Sequence, residues 1–259
     1  MPTQRVKLVL LSLGLSLALS ARAETAADPV LDVLASEAKR ATAALDTGET
    51  PLYYLSYRVS DGVQREIRAS YGALLTSLPD DSETGRVRQL DVTARVGSPS
   101  LDSTHKLREE GFEFDPDDFA RGGTRLPFGD DPGALKLAVW KATAHAYEKA
   151  AQKLIRVRTN KQVKVSEEDA AADFTAEPPQ TFLGVAKERV PPRGAQDVWA
   201  ERVKRLSALF KKYPHVLSSQ VMFENSVWTN YFADSDGAQI REPQSYARLM
   251  ILASVKADD

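Results

Sequence analysis

The chain of 259 residues contains no cysteine and only three histidines. The absence of cysteine excludes disulfides, cysteine-ligated zinc, iron–sulfur clusters and thiol nucleophiles. Basic and acidic residues nearly balance, at 34 and 36, so the net charge gives no reason to expect a nucleic acid as partner. Hydrophobic residues make up 42% of the chain, which suits a globular protein with a buried core and not a disordered one.

The first 23 residues have the three-part layout of a secretory signal peptide. A basic start at Arg5 and Lys7 precedes an uncharged apolar run from Leu8 to Ser20, and Ala21-Arg22-Ala23 fits an A-x-A cleavage site. The run is shorter than the ~20 residues of a membrane-spanning helix, which disfavours an uncleaved anchor. We therefore expect cleavage after Ala23, a periplasmic or secreted mature chain, and no stable membrane anchor.

Three stretches of the mature chain have apolar residues at helical spacing. The first begins at the cap signal Asp28-Pro29 and ends before Gly48, and the second begins at Asp131-Pro132. The third runs from Ala195 to Lys212, before Pro214. We therefore predict three helices, each with one apolar face.

Strand patterns lie between the first two of these helices and after the third. Alternation over 53–59 and 63–71, with Asp61-Gly62 between them, predicts a hairpin, and a further strand follows at 90–96. Short turns between these strands predict an antiparallel meander.

The C-terminal part predicts a second hairpin, with strands at 227–233 and 246–255 around a turn at 234–237. Its last strand is apolar on both faces, which predicts a covered, central position. The expected fold class is therefore α+β: an antiparallel sheet, with a meander and C-terminal hairpins, packed with about three helices. We expect one domain over 24–259, with irregular segments at 97–131 and 160–194.

Residues for catalysis or metal binding are sparse. His105, His145 and His215 share no metal-ligand spacing, and His145 falls on the apolar side of the second helix, which favours a partly buried structural histidine. The nucleophile motif G-x-S-x-G and a phosphate-binding loop are both absent. The sequence predicts no catalytic, cofactor-binding or metal-binding residue and no cofactor.

Two charged stretches are interpreted as solvated surfaces. The acidic residues within 109–118 are interrupted by phenylalanines and miss the EF-hand spacing, so a loop is favoured over a cation site. The third helix has a basic side, for which solvent exposure is favoured over anion binding, formed by Lys204, Arg205, Lys211 and Lys212.

Six segments of the mature chain, taken in order, carry a family resemblance. They are Pro51–Asp61, Ala69–Leu74, Arg86–Asp102, Asp130–Trp140, Val198–Phe210 and Asn230–Gly237. The ordered set resembles the N-terminal half of exported members of the TldD/PmbA family, the metallopeptidases once called modulators of DNA gyrase. The resemblance implies an α+β fold built on an antiparallel sheet, dimeric assembly, and peptide handling inside a proteolytic chamber.

The chain departs from that family at the catalytic motif. The family enzymes carry His-Glu-x-x-x-His and a further Cys in their C-terminal half, where the His and Cys side chains bind zinc and the Glu activates water. Here the run from His145 to Ala150 lacks both the adjacent Glu and the second His, and the chain has no Cys. The resemblance therefore transfers no metal ligand or catalytic residue to this sequence.

Three functions stay open. The first is an exported, non-catalytic TldD/PmbA-like N-terminal domain, a partner or truncated form of a peptide-degrading metallopeptidase, which pairs with itself or with a metal-bearing homologue. The second is an exported binding or scaffold protein with its ligand on the open sheet face near Trp228, Tyr231 and 97–131. The third is an enzyme that uses carboxylates alone. The apolar last strand also predicts that the isolated chain dimerises or aggregates.

Overall fold

The computed structural model describes residues 28–77, 85–105, 123–163, 171–185 and 195–255. The predicted signal peptide and the acidic stretch 109–118 lie outside these residues. The helices described are α1 (Pro29–Leu45), α2 (Pro132–Val163) and α3 (Ala195–Ala208), which continues as a 3-10 turn over Leu209–Lys212. None of the helices in the described ranges is long and apolar enough to cross a membrane.

Eight strands form one open sheet within the described residues, in the order β4-β3-β1-β7-β8-β6, with β2 beside β1 and β5 beside β3. Their bounds are β1 (Leu52–Ser70), β2 (Ala73–Thr76), β3 (Arg86–Ser98), β4 (Leu101–Asp102), β5 (Thr124–Arg125), β6 (Thr181–Leu183), β7 (Val216–Asp234) and β8 (Gln239–Val255). The described pairs are antiparallel except β6 with β8. The predicted α+β class is confirmed, while the segments predicted to be irregular contain the short strands β4, β5 and β6.

The predicted cap signals begin the first two helices. The Asp28 carboxylate accepts hydrogen bonds from the backbone N–H groups of Val30 and Leu31, at 3.1 and 3.3 Å. The Asp131 carboxylate accepts one from Ala134, at 2.7 Å. These bonds satisfy N–H groups that the first turn of a helix leaves without an intrahelical partner, so local chemistry fixes both starts.

Asp61-Gly62 does not form the predicted hairpin, because β1 runs straight through it. Asp61 pairs with Arg88 of β3 on one side and with Thr229 of β7 on the other. A Cβ atom on Gly62 would lie 2.6 Å from two ring carbons of Trp228, so glycine at this position makes room for the indole. The dipeptide therefore serves a close approach between strands and not a turn.

The hairpin lies ten residues further along, at a dipeptide that the sequence pattern did not single out. Ser70 pairs with Ala73 across a two-residue loop, in which Tyr71 and Gly72 have φ values of +46° and +85°. Two consecutive residues with positive φ match the twist of the flanking strands.

The three helices of the described residues pack on the same face of the sheet, over two separate apolar clusters. The larger cluster gathers buried residues of α1, α2, β1, β3 and β7. The smaller one lies under α3 and consists of Ile67, Ala69, Ala200, Val203, Val221 and Phe223. Because Ile67 and Ala69 follow Tyr57 and Val59 at even spacing along β1, the same long strand carries both clusters on one face.

Candidate functional site

The outer edge of β8 carries exposed apolar side chains along much of its length. The short strand β6 pairs with β8 only at residues 239–241, and no described strand pairs with β8 on that side further along. Residues 246–255 therefore form about 33 Å of edge without a described partner strand. Large apolar side chains are exposed along this part, at Tyr246, Leu249, Ile251, Leu252 and Val255.

The prediction that this last strand is covered and central is wrong, and the position of α3 explains why. Leu249 and Ile251 lie opposite Phe223 and Val221, which belong to the cluster under α3. The helix covers that cluster by stacking Trp199 on Phe223 at 3.8 Å between ring centroids. Its main contacts are with β1 and β7, so the next strand of the sheet stays exposed on the same face.

The edge also presents backbone hydrogen-bonding groups in a regular order. The carbonyl of Arg241 accepts a hydrogen bond from Gly184, on the side away from β7. Because backbone direction alternates along a strand, Ala247, Leu249, Ile251 and Ala253 also point their N–H and C=O groups outward. Arg248 is the one charged residue between Tyr246 and Val255. A long strand with low charge and outward backbone groups can pair with a strand of another chain.

A network of hydrogen bonds at the opposite end of the sheet is centred on the buried carboxylate of Asp102. It accepts bonds from the Tyr53 hydroxyl at 2.5 Å, from Arg95 at 2.8 Å, and from the backbone and hydroxyl of Thr104 at 2.6 and 2.7 Å. Burial acts to raise the pKa of Asp102, but these hydrogen bonds outweigh burial and hold the pKa below its usual range. Burial and the bond to Asp102 raise the pKa of Tyr53.

The same network joins a histidine to a second carboxylate. The ring nitrogen Nδ1 of His105 lies 2.7 Å from Asp173, whose other carboxylate oxygen accepts a bond from the Asp102 backbone N–H at 2.9 Å. Phe174, the next residue, packs on Tyr53 and Tyr54 and under the Arg95 guanidinium. These contacts fasten the segment around Asp173 to the end of β3, which indicates a structural role for the network.

The other histidines lie apart from this network. His145 is exposed on α2, so the prediction that it is partly buried is wrong, and His215 is exposed in the turn before β7. Among the described residues, no group of three His, Asp or Glu side chains could hold a metal ion. On the basic side of α3, Lys204 pairs with Glu201 at 2.8 Å, and Arg205, Lys211 and Lys212 are exposed.

The open face of the sheet differs from the predicted binding surface. Trp228 lies on this face, half-buried against Gly62. Tyr231, however, is buried in the larger apolar cluster on the helical face. Alternation along β7 explains the difference, because residues 228 and 231 are separated by an odd number of positions. The two aromatics therefore do not form one ligand surface.

Sequence reasoning missed a polar cluster that lies between the two apolar clusters. Arg88 and Asp61 are both fully buried, and the guanidinium donates to Asp61 at 2.9 and 2.6 Å. It also donates to Asp130 and to the carbonyls of Pro127 and Gly129. This arrangement holds the segment before α2 against β3. The one available signal was the pair of charged residues on the apolar side of two strand patterns.

Comparison of the sequence with family models and with curated proteins finds no match. Solved structures similar to the chain include two proteins described as modulators of DNA gyrase, from Thermotoga maritima (11% identity, TM-score 0.38) and Bacteroides thetaiotaomicron (9%, 0.43). A third is TldE from Thermococcus kodakarensis (10%, 0.39). The similarity covers 86%, 88% and 85% of this chain and 40%, 42% and 38% of those chains, respectively. The chain thus spans less than half the length of each.

Proposed function

We propose that this chain is an exported, non-catalytic domain of TldD/PmbA type that assembles with a peptide-degrading metallopeptidase subunit through the outer edge of β8, at residues 246–255. The observation that carries the proposal is the run of exposed apolar side chains and outward backbone groups over residues 246–255. A soluble domain rarely leaves such an edge uncovered, since it invites pairing with other strands. The ordered sequence resemblance described above suggests the class of partner.

The sequence supports a non-catalytic role within such an assembly. It lacks both the His-Glu-x-x-x-His motif and the cysteine of the family enzymes, so zinc ligands of that kind would come from the partner. The partner strand would lie antiparallel or parallel to β8 and place apolar side chains against Leu249 and Ile251 on the helical face. Both sheets would then lose an exposed edge.

Two matched variants test the role of the edge. Ile251→Lys places a charge at an apolar edge position that is 55% exposed, and Leu137→Lys makes the same change on α2, at 53% exposure. The Ile251 variant should weaken assembly about tenfold or more, because a charge would be buried in the new interface, whereas the Leu137 variant should assemble normally. Thermal unfolding checks that both variants remain folded.

Co-purification from the native envelope, followed by mass spectrometry and light scattering, identifies the partner. Recovery of a protein with a His-Glu-x-x-x-His motif, lost with Ile251→Lys, supports the proposal. A homodimer that dissociates in the same variant would show that the edge binds a second copy of this chain and would overturn the proposal of a metallopeptidase partner. A monomer that captures a different ligand through Trp228 would favour the alternative, a binding or scaffold protein using the open face. Zinc-dependent peptidase activity of the isolated chain would overturn the non-catalytic role.

A further inference from the structure

The outer side of β3 has a gap in its pairing, far from the β8 edge. β5 pairs with β3 at residues 89 and 90, and β4 pairs with it at 97 and 98. Among the described residues, no strand pairs with 91–95 on this side. A groove of about 850 Å³ follows the gap, between β3 and α2.

Neighbouring hydrogen bonds show which backbone groups point into this gap. The carbonyls of Arg88 and Val96 accept bonds from Leu126 and Ser103, on the side away from β1. Since direction alternates along a strand, the N–H and C=O groups of Val92 and Ala94 point to the same side. The gap therefore offers two donors and two acceptors in the spacing that an added strand requires.

The side of α2 that lines the groove is basic. Lys149, Lys153 and Arg156 line it together with His145, and their spacing of three and four residues places them along one side of the helix. Lys149 and Arg156 also interact within the chain, and an incoming carboxylate would share them. From His145 to Arg156 the helix rises about 16 Å, which matches about five residues of extended chain.

The two faces of an added strand would meet different surroundings. Side chains on the helical face would meet the basic side of α2, while those on the open face would lie beside Asp91 and Thr93, which are exposed there. Side chains of an extended peptide alternate between the two faces. Charge complementarity therefore favours acidic residues at every second position and uncharged residues between them.

We propose that this groove binds an extended peptide as an additional strand beside β3, with acidic side chains at alternate positions facing α2. Backbone pairing with Val92 and Ala94 supplies affinity, and the cations of α2 supply selectivity for the acidic pattern. The site is independent of the β8 edge, so variants of one surface leave the other unchanged.

The probe is a fluorescein-labelled peptide of about nine residues in which glutamate and threonine alternate, titrated with the purified chain by fluorescence anisotropy. A peptide of the same composition with its glutamates in one block should bind about tenfold more weakly, because half of its charges would face Asp91. Raising the salt concentration should weaken binding of the alternating peptide. Equal binding of the two peptides would overturn the proposal, as would no binding of either.

Protein variants test the basic side of α2. The double variant Lys149→Glu, Lys153→Glu should bind the alternating peptide at least about tenfold more weakly, since two attractions become repulsions. Lys141→Glu makes one such charge reversal at an exposed position of α2 that does not line the groove, and should stay within about twofold of the original chain. Circular dichroism checks the fold. An equal loss in the Lys141 variant would overturn the site.

Methylation of peptide nitrogens tests backbone pairing without changing the protein. Only every second N–H group of an added strand points toward β3. Methylating one alternate set of N–H groups should therefore abolish binding, whereas methylating the other set should leave most of it. Equal affinity of both methylated peptides and the parent peptide would exclude strand addition.

Discussion

Replacing Arg88 by methionine should lower the free energy of unfolding by about 3–5 kcal/mol. The buried guanidinium makes five hydrogen bonds, to Asp61, Asp130, Pro127 and Gly129, which use all of its N–H groups. Methionine has a similar length and apolar stem, so packing changes little. The loss comes from Asp61, whose fully buried carboxyl group no longer has the guanidinium beside it.

Urea unfolding followed by circular dichroism measures this loss, and two further variants identify its cause. Arg88→Lys keeps a positive charge without the planar fork, so it should lose less stability than Arg88→Met. The double variant Arg88→Met, Asp61→Leu should recover much of the loss, because it also removes the buried carboxylate. The reasoning would be refuted if the free energy of unfolding of Arg88→Met lay within about 1 kcal/mol of that of the original chain. It would also be refuted if the double variant were no more stable than Arg88→Met.

Two other predictions concern acid stability and backbone strain. Hydrogen bonds lower the folded-state pKa of Asp102, and hydrogen bonds from Tyr246 and Arg248 lower the folded-state pKa of Glu224. The stability that these two groups contribute is therefore complete above about pH 5 and should fall as the pH drops through their folded-state pKa values. Urea titrations at several pH values measure this dependence. In Asp102→Asn the free energy of unfolding should fall less steeply at acid pH, and an unchanged slope would contradict the role given to Asp102. Gly97→Ala should cost about 2–4 kcal/mol in thermal unfolding, because φ is +120° and the new Cβ would lie 2.7 Å from the Leu101 carbonyl. Gly48→Ala should cost about 1 kcal/mol, because φ is +71° but nothing lies near the new Cβ. Equal losses of stability in the two variants would exclude the clash at Gly97.

Helix starts were predictable from the sequence because their causes are local. The Asp28 and Asp131 carboxylates bond N–H groups two or three residues away, so the signal and its effect lie in the same short stretch. The fold class followed from the same kind of local periodicity.

The strand errors arose where distant residues decide the outcome. Asp61-Gly62 has the composition of a turn, but Arg88 and Trp228 from neighbouring strands hold it in an extended conformation. An apolar pattern on both faces of β8 marks surface that favours burial, yet it does not say whether another part of the same chain covers it.

The groove beside β3 could not be predicted from the sequence, again because distant residues form it. The basic side of α2 could be read from the spacing of Lys149, Lys153 and Arg156, but the gap in strand pairing opposite it depends on where β4 and β5 end. Such a site combines a local pattern with a topological one, and only the second requires the structure.

The long strands β1 and β7 join two halves of the molecule that differ in the size of their apolar cores: the half under α1 and α2, and the half under α3. One continuous ladder carries both apolar clusters, but the cluster under α3 has few members and is held by a single helix. Amide hydrogens in the α1–α2 half should therefore exchange slowly. Those in the α3 half should exchange sooner, because that half opens first, as a separate cooperative unit. The exposed end of β8 belongs to that weaker half, so a strand docked there would do more than hide an edge: it would join the two halves into one unfolding unit.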